Sequence, residues 1–131
     1  MNILVVDDDK ELLAAVERIL TRNGHSVDCS DNAAAAVKMA AANRYDFVLV
    51  DYRIPEHNGI WFLQNASLPR STRALLMTAF TDGNVIGRMF GVGISGYIAK
   101  PFDETELLRH IDFHSVNRDP RLDAESMEAQ Q

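Results

Sequence analysis

The sequence predicts a doubly wound α/β domain, in which helices cover both faces of a parallel five-stranded sheet. Short apolar runs alternate along the chain with longer, mostly amphipathic stretches, five of each. Runs such as ILVV, FVLV and ALLM are too uniformly apolar for a sheet with one face in water, and strands buried on both faces are typical of parallel sheets. A chain of 131 residues that is 47% hydrophobic is the right size for one domain with its own core.

The first half of the chain contains three predicted strands and two predicted helices. Apolar residues recur at helical spacing from Leu12 to Leu20, and Gly24 is a suitable residue to end that helix. The second helix is rich in alanine, and Asp31 is its candidate N-cap. In order, these elements are a strand over 2–6, a helix within 9–24, a strand over 25–30, a helix over 31–43 and a strand over 45–50.

The second half of the chain contains three further helices and two further strands. Pro55 and Gly59 mark a loop, Pro69 ends the helix that follows it, and Asp103 is the candidate cap of the last helix. The order is a helix within 60–67, a strand over 73–78, a helix within 82–91, a strand over 95–99 and a helix over 103–114. Apolar periodicity is lost after residue 114, so residues 1–116 are the predicted domain and 117–131 a disordered tail or the start of a linker.

Charge and composition exclude several classes of partner. The net charge is −6 and there is no block of Lys or Arg, which argues against direct binding to nucleic acid or to an anionic membrane. No apolar run approaches the roughly 20 residues that a membrane-spanning helix needs. Cys29 is the only cysteine, so no disulfide forms within the chain, and the cytoplasm is the expected compartment.

Polar residues follow four of the five predicted strands at the point where each strand ends. The first strand ends in three consecutive acids, Asp7 to Asp9, and the others in Asp51, Thr78 and Lys100. The carboxyl ends of parallel strands line one crevice, so these side chains should converge. Clustered carboxylates repel one another unless a cation such as Mg²⁺, which prefers oxygen ligands, lies between them. A lysine and a hydroxyl suit phosphoryl oxygens, and an aspartate can itself accept a phosphoryl group.

These motifs closely resemble the receiver domain of the response regulators, the flavodoxin-like module of two-component signalling. The resemblance covers Asn2 to about His114. It rests on the acidic pair after ILVV, on VLVDYRIPEHNG, on Thr78-Ala79 after LLM and on Lys100-Pro101 in GYIAKPF. It implies a strand order of 2-1-3-4-5 and a cis Lys100-Pro101 peptide bond. It also implies a signalling domain that catalyses only its own phosphorylation and dephosphorylation.

The resemblance also implies a role for each site residue. Asp51 would accept a phosphoryl group from a phosphohistidine of a sensor histidine kinase or a histidine phosphotransfer protein. Lys100, Thr78 and Ala79 would bind the phosphoryl group, and Tyr97 would move with Thr78 to switch the face formed by the fourth helix, fifth strand and fifth helix. Mg²⁺ would be held by Asp8, by Asp51 and by the Arg53 carbonyl, with Asp7 acting through a water or as a second ligand. That face would control an effector domain or target protein. A phosphorylation-dependent homodimer is the other alternative for its partner.

Arg53 and Phe80 resemble the family positions that flank the approach of the hydrolytic water. Phe80 is bulky and apolar, so slow intrinsic dephosphorylation is expected.

Three other classes of protein share some of these features. A phosphatase of the haloacid dehalogenase type would use the spacing of Asp7 and Asp9, but it usually has Thr or Val where this chain has Glu11, and it needs a cap and a longer chain. An FMN carrier would need a neutral phosphate-binding loop where this chain has acids. A degenerate receiver that acts as a constitutive interaction module is the remaining alternative, and Mg²⁺ titration separates it from an active receiver.

Overall fold

The computed structural model describes residues 1–79 and 83–115 of the chain. Two predictions, the bulky Phe80 beside the site and the tail over 117–131, therefore lie outside the described residues. Within the described ranges, strands and helices alternate strictly, as the sequence predicts. The elements are β1 (Asn2–Val6), α1 (Lys10–Arg22), β2 (Ser26–Ser30), α2 (Ala33–Ala42), β3 (Phe47–Asp51), α3 (Gly59–Asn65), β4 (Arg73–Thr78), α4 (Gly83–Gly91), β5 (Gly96–Ala99) and α5 (Glu104–Ser115).

The five strands form one parallel sheet in the order β2-β1-β3-β4-β5, which confirms the predicted topology. Strand β3 lies at the centre, between β1 and β4, and all five of its residues are buried. The order changes direction between β1 and β3, where a parallel α/β sheet forms its ligand crevice. The carboxyl end of β3 therefore opens into the middle of that crevice.

Two hydrophobic clusters cover the two faces of the sheet. On one face, α1 and α5 pack over alternate strand residues such as Ile3, Leu49 and Ile98. On the other face, α2, α3 and α4 pack over the intervening residues, among them Leu4 and Val50. Strand residues alternate between the two clusters because successive side chains point to opposite faces, so the uniformly apolar runs are explained by burial on both sides.

The ends of several elements differ from the predictions by one or two residues. Strand β2 begins at Ser26 because the His25 N–H donates to the Leu20 carbonyl and completes the turn after α1. Strand β3 begins at Phe47, although Tyr45 is buried and its hydroxyl donates to Asp28 at 2.7 Å. Such shifts arise where loop hydrogen bonds replace the strand ladder.

The predicted N-cap of α2 was wrong. The cap is Asn32, whose Oδ1 accepts the Ala35 N–H at 2.8 Å, and Asp31 lies one residue earlier, with its carboxylate 3.9 Å from Lys10. The last helix has the predicted cap, since Asp103 Oδ1 accepts the Glu106 N–H at 2.8 Å. Helix α1 ends just before Gly24, which has a φ of 89° that suits glycine.

None of the helices within residues 1–79 and 83–115 combines the length and the apolar composition that crossing a bilayer requires.

Candidate functional site

The site is built at the carboxyl edge of four neighbouring strands. Asp7 and Asp8 follow β1, Asp51 is the last residue of β3, Thr78 is the last residue of β4, and Lys100 follows β5. These strands lie side by side in the sheet, so residues separated by up to 93 positions in sequence come together. The predicted convergence of the strand-end residues is therefore present in the structure.

Lys100 links the two buried carboxylates of the site. Its Nζ donates to Asp7 Oδ2 at 2.5 Å and to Asp51 Oδ2 at 2.9 Å. The Lys100 side chain is only 18% exposed and that of Asp7 is fully buried, so these ion pairs are shielded from the solvent that weakens surface pairs. The backbone reinforces this placement, because the Lys100 N–H donates to the Thr78 carbonyl at 2.8 Å.

The surroundings shift the pKa of two of these groups. Burial raises the pKa of the Asp7 carboxyl, against the opposing effect of its hydrogen bond from Lys100. Burial alone would lower the pKa of Lys100, but the hydrogen bonds to Asp7 and Asp51 outweigh it and raise that pKa. Lys100 is therefore held as a cation at neutral pH, beside the carboxylate that ends the central strand.

The three consecutive acids after β1 have three different environments. Asp7 points into the site, and its second oxygen accepts the Asp9 N–H at 3.0 Å. Asp9 points away and caps α1 by accepting the Leu12 N–H at 3.1 Å. Asp8 is exposed. Asp9 is thus a helix cap, and Asp7 and Asp8 are the acids that the first strand brings to the site.

Asp7, Asp8 and Asp51 form a group of oxygen donors suited to a hard divalent cation. One carboxylate oxygen from each residue lies within 4.8 Å of those of the other two. Each oxygen of Asp7 and each oxygen of Asp51 already accepts one hydrogen bond, and a carboxylate oxygen in that state keeps a further lone pair with which it can bind a cation. Mg²⁺ commonly binds through one or two carboxylates and keeps several waters. The donor set therefore fits Mg²⁺.

The loop that follows β3 contacts Asp51 directly. The Arg53 N–H donates to Asp51 Oδ1 at 3.4 Å, and the Arg53 side chain is exposed. The loop ends where Asn58 caps α3 and the Gly59 N–H donates to the Tyr52 carbonyl at 2.9 Å. The hydrogen bonds from Arg53 to Asp51 and from Gly59 to Tyr52 thus tie both ends of this loop to the end of β3.

Thr78 and Tyr97, the two residues expected to switch, lie in different environments. The Thr78 side chain is buried at the end of β4, beside the Lys100 main chain, and Ala79 after it is exposed. Tyr97 is 42% exposed on β5, so it does not belong to the core. The structure brings Thr78 to the same strand edge as the acidic cluster and leaves Tyr97 on the neighbouring surface. The Lys100-Pro101 peptide bond is cis, as expected.

Sequence reasoning missed two features of the site. One is the direct ion pairing of Lys100 with Asp7 and Asp51, which the need of buried carboxylates for a counterion could have indicated. The other is Gly59, which the sequence showed only as a loop marker. An added Cβ on Gly59 would lie 2.6 Å from the Asp51 carbonyl oxygen, so glycine is required at this position.

The fold and the site together define a class of doubly wound α/β domain with an acid at the centre of the crevice and a lysine beside it. A family model described as the response regulator receiver domain matches residues 3–112. The chain therefore belongs to the receiver domain family of the two-component response regulators. A receiver domain is a signalling module and not an enzyme in the usual sense.

Curated relatives and solved structures agree with this assignment. Response regulator ArlR of Staphylococcus haemolyticus is 33% identical over 112 residues, which are 84% of this chain and 50% of that protein. Transcriptional regulatory protein CrdR of Helicobacter pylori is 30% identical over 121 residues, 91% of this chain and 56% of that protein. The chain spans about half the length of these relatives. The structure of chemotaxis protein CheY4 of Vibrio cholerae has a TM-score of 0.81 at 25% identity, covering 85% of this chain and 95% of that one.

Proposed function

We propose that Asp51 accepts a phosphoryl group from a phosphohistidine of a sensor histidine kinase or a histidine phosphotransfer protein. The observation that carries this proposal is the placement of the Asp51 carboxylate 2.9 Å from Lys100 Nζ and within 4.8 Å of Asp7 and Asp8. This combination gives one nucleophile, one fixed cation and a set of oxygen ligands in a single crevice. The proposed receiver unit is residues 1–116, and the cytoplasm remains the expected compartment.

The transfer itself is a displacement at phosphorus. An Asp51 carboxylate oxygen forms the new P–O bond while the P–N bond to the donor histidine breaks, and the electron pair of that bond returns to the imidazole, which takes a proton. Lys100 Nζ, which contacts Asp51 Oδ2, is placed to donate to an oxygen of the arriving phosphoryl group. Thr78 and the N–H of the exposed Ala79, at the same edge, are proposed to bind the other phosphoryl oxygens.

Asp8, Asp51 and the Arg53 carbonyl are the residues that would hold Mg²⁺, with Asp7 acting through a water or as a further ligand. When bound, Mg²⁺ would offset the negative charge that the phosphoryl group adds to an already acidic edge. Asp7 is buried and each of its oxygens accepts one hydrogen bond, so it also holds Lys100 in place beside Asp51. Slow hydrolysis of the acyl phosphate, expected because Arg53 and Phe80 resemble the family positions that flank the hydrolytic water, completes the proposed cycle.

Phosphorylation at Asp51 is tested with acetyl phosphate and Mg²⁺. Mass spectrometry should show one added phosphoryl group on the native protein, none on Asp51→Asn, and none on native protein treated with EDTA. Lys100→Ala serves as the matched variant. It should keep Mg²⁺ binding, because the charge of Lys100 acts on the phosphoryl group. Phosphorylation should no longer change how this variant binds a partner. Modification that survives in Asp51→Asn would contradict the proposal. Absence of both Mg²⁺ binding and modification in the native protein would favour a constitutive interaction module.

The output surface is proposed to be the face formed by α4, β5 and α5. Three of the large exposed hydrophobic residues of the described chain lie on these elements: Phe90, Tyr97 and Phe113, which are 47%, 42% and 57% exposed. Exposed aromatic residues grouped on neighbouring elements are typical of an interaction surface. This face would bind an effector domain or a target protein, or form a phosphorylation-dependent homodimer.

Thr78 is proposed to move toward the phosphoryl group, which opens space into which Tyr97 turns and changes the population of two arrangements of this face. Addition of beryllofluoride with Mg²⁺ should therefore shift amide resonances across residues 83–100, and Thr78→Ala should reduce those shifts. Resonances of α1 provide the internal control and should move little. Unchanged resonances in α4 and β5 of the native protein would refute the coupling.

A further inference from the structure

We propose that Gly59 and Met89 form a packing link between the main chain of Asp51 and helix α4, so that Gly59 acts as a positioning residue for the metal-binding turn. The link rests on the proposed function, because the turn from Asp51 to Arg53 is the part of the chain on which Mg²⁺ would act. It is separate from the Thr78 and Tyr97 switch, which responds to a phosphoryl group.

The surroundings of Gly59 leave no room for a side chain on that residue. It is buried at the first position of α3, and its N–H donates to the Tyr52 carbonyl at 2.9 Å. A Cβ built on Gly59 would lie 2.6 Å from the Asp51 carbonyl oxygen and 3.2 Å from the Tyr52 Cα. Both atoms belong to the main chain and cannot turn aside as a side chain can. The distance between α3 and the end of β3 is therefore set by the absence of a side chain at residue 59.

Met89 occupies the other side of the same space. Its Cε lies 3.2 Å from the position of that Cβ, so its terminal methyl group packs against Gly59. Met89 is fully buried, and Val85 is the one other buried residue within Gly83–Gly91 of α4. Because packed interiors transmit displacement through such contacts, a movement of the Asp51–Arg53 turn that shifts Gly59 also shifts one of the two anchors of α4.

Titration with Mg²⁺ alone isolates this link, because no phosphoryl group is present to draw Thr78 inward. In the native protein, Mg²⁺ should shift amide resonances of Asp8 and Asp51 and also those of α4. Met89→Ala should keep the shifts at the acids and lose most of those in α4. Val85→Ala is the matched control, since it shortens the other buried residue of α4. It should keep the shifts at the acids and the shifts in α4. Equal α4 shifts in native and Met89→Ala protein would overturn the link and leave the metal site intact.

Gly59→Ala tests the same contact from the other side. The new Cβ should push the Asp51 main chain away and raise the Kd for Mg²⁺ by about fivefold or more, the lower end of usual coupling between sites. Gly87→Ala, whose Cβ would meet no atom within 4 Å, should change that Kd by less than about twofold. Met89→Val, which removes the terminal methyl group that contacts Gly59 and fills more of the space than alanine does, replaces Met89→Ala if the latter does not fold.

A measurement in EDTA separates failure of the link from failure of the proposed function. Without any metal, Gly59→Ala should still move the amide resonances of α4 relative to native protein, and it should move them less when Met89 is also Ala. Unmoved α4 resonances in Gly59→Ala would overturn the link whether or not Mg²⁺ binds. Moved resonances together with no Mg²⁺ binding would support the packing link and reject the proposed metal site.

Discussion

Helices α1 and α4 lie on opposite faces of the sheet and differ in how their sequences support them. Helix α1 has 13 residues, no glycine, an Asp9 side-chain cap and three buried residues. Helix α4 has nine residues, of which three are glycines, and two buried residues. Asn23 completes α1 by donating to the Ile19 carbonyl, and Arg22 at its end forms an exposed ion pair with Glu104 of α5.

The glycines of α4 serve no packing purpose that the structure shows. A Cβ on Gly83, Gly87 or Gly91 would meet no atom within 4 Å. The four-residue spacing therefore does not mark a close approach within the described chain, and its effect is to weaken the helix, since each glycine costs about 1 kcal/mol relative to alanine. We therefore expect α4, the helix beside the proposed acceptor and switch, to rearrange more easily than α1, which lies beside the acidic pair.

Hydrogen exchange should show the largest difference between the two helices. Three glycines at about 1 kcal/mol each amount to roughly 3 kcal/mol, so α4 amides should exchange on the order of 100-fold faster than those of α1 in unphosphorylated protein. The comparison is made by NMR or mass spectrometry on one sample, so global stability cancels. Equal protection of the two helices would contradict the expected difference in local stability between α1 and α4.

The fold was largely predictable because burial on both faces of a parallel sheet leaves an unambiguous pattern. Runs such as FVLV locate the strands, and the alternation with helices gives the class. The errors lie at the ends of elements. Asn32 and Asp31 are both good N-caps, and only the hydrogen bond to Ala35 distinguishes them. The alternating pattern places His25 in a strand, but its N–H donates to Leu20 in the turn after α1.

The site was predictable in its membership and less so in its internal arrangement. The sheet topology places Asp51, Thr78 and Lys100 at one edge, because each of them lies where a parallel strand ends. Three consecutive aspartates are chemically equivalent in the sequence, however, and the geometry of the strand end and the first turn of α1 separates a buried carboxylate from a helix cap. The contact of Gly59 depends on the distance between α3 and β3, which no local pattern encodes.

Removing the cap of α1 should make it more like α4. Asp9→Ala leaves the Leu12 N–H without its acceptor and should lower the free energy of unfolding by about 1 kcal/mol, with faster exchange confined to the first turns of α1. Asp9→Ser retains a capping oxygen and should stay within a few tenths of a kcal/mol of native protein. Chemical denaturation with two-state analysis measures both. Equal destabilisation by the two substitutions would show that Asp9 acts through its negative charge at the N-terminus of α1 and not as a hydrogen-bonding cap.

The smallest expected effect comes from adding a methyl group to α4. Gly87 lies in the middle of the helix, and its Cβ would project into open space, so Gly87→Ala should remove conformational freedom from the unfolded chain without a clash. The free energy of unfolding should rise by roughly 0.5–1 kcal/mol, and exchange in α4 should slow accordingly. Gly93→Ala is the matched control at the end of the same helix. Gly93 has a φ of 114°, which alanine rarely adopts, so the same added methyl group should destabilise the protein by about 1–2 kcal/mol. Opposite signs for the two substitutions would establish that residue 87 is helical in solution and that glycine there keeps α4 loose, whereas destabilisation by Gly87→Ala would mean that the helix departs from this geometry and that its looseness has another cause.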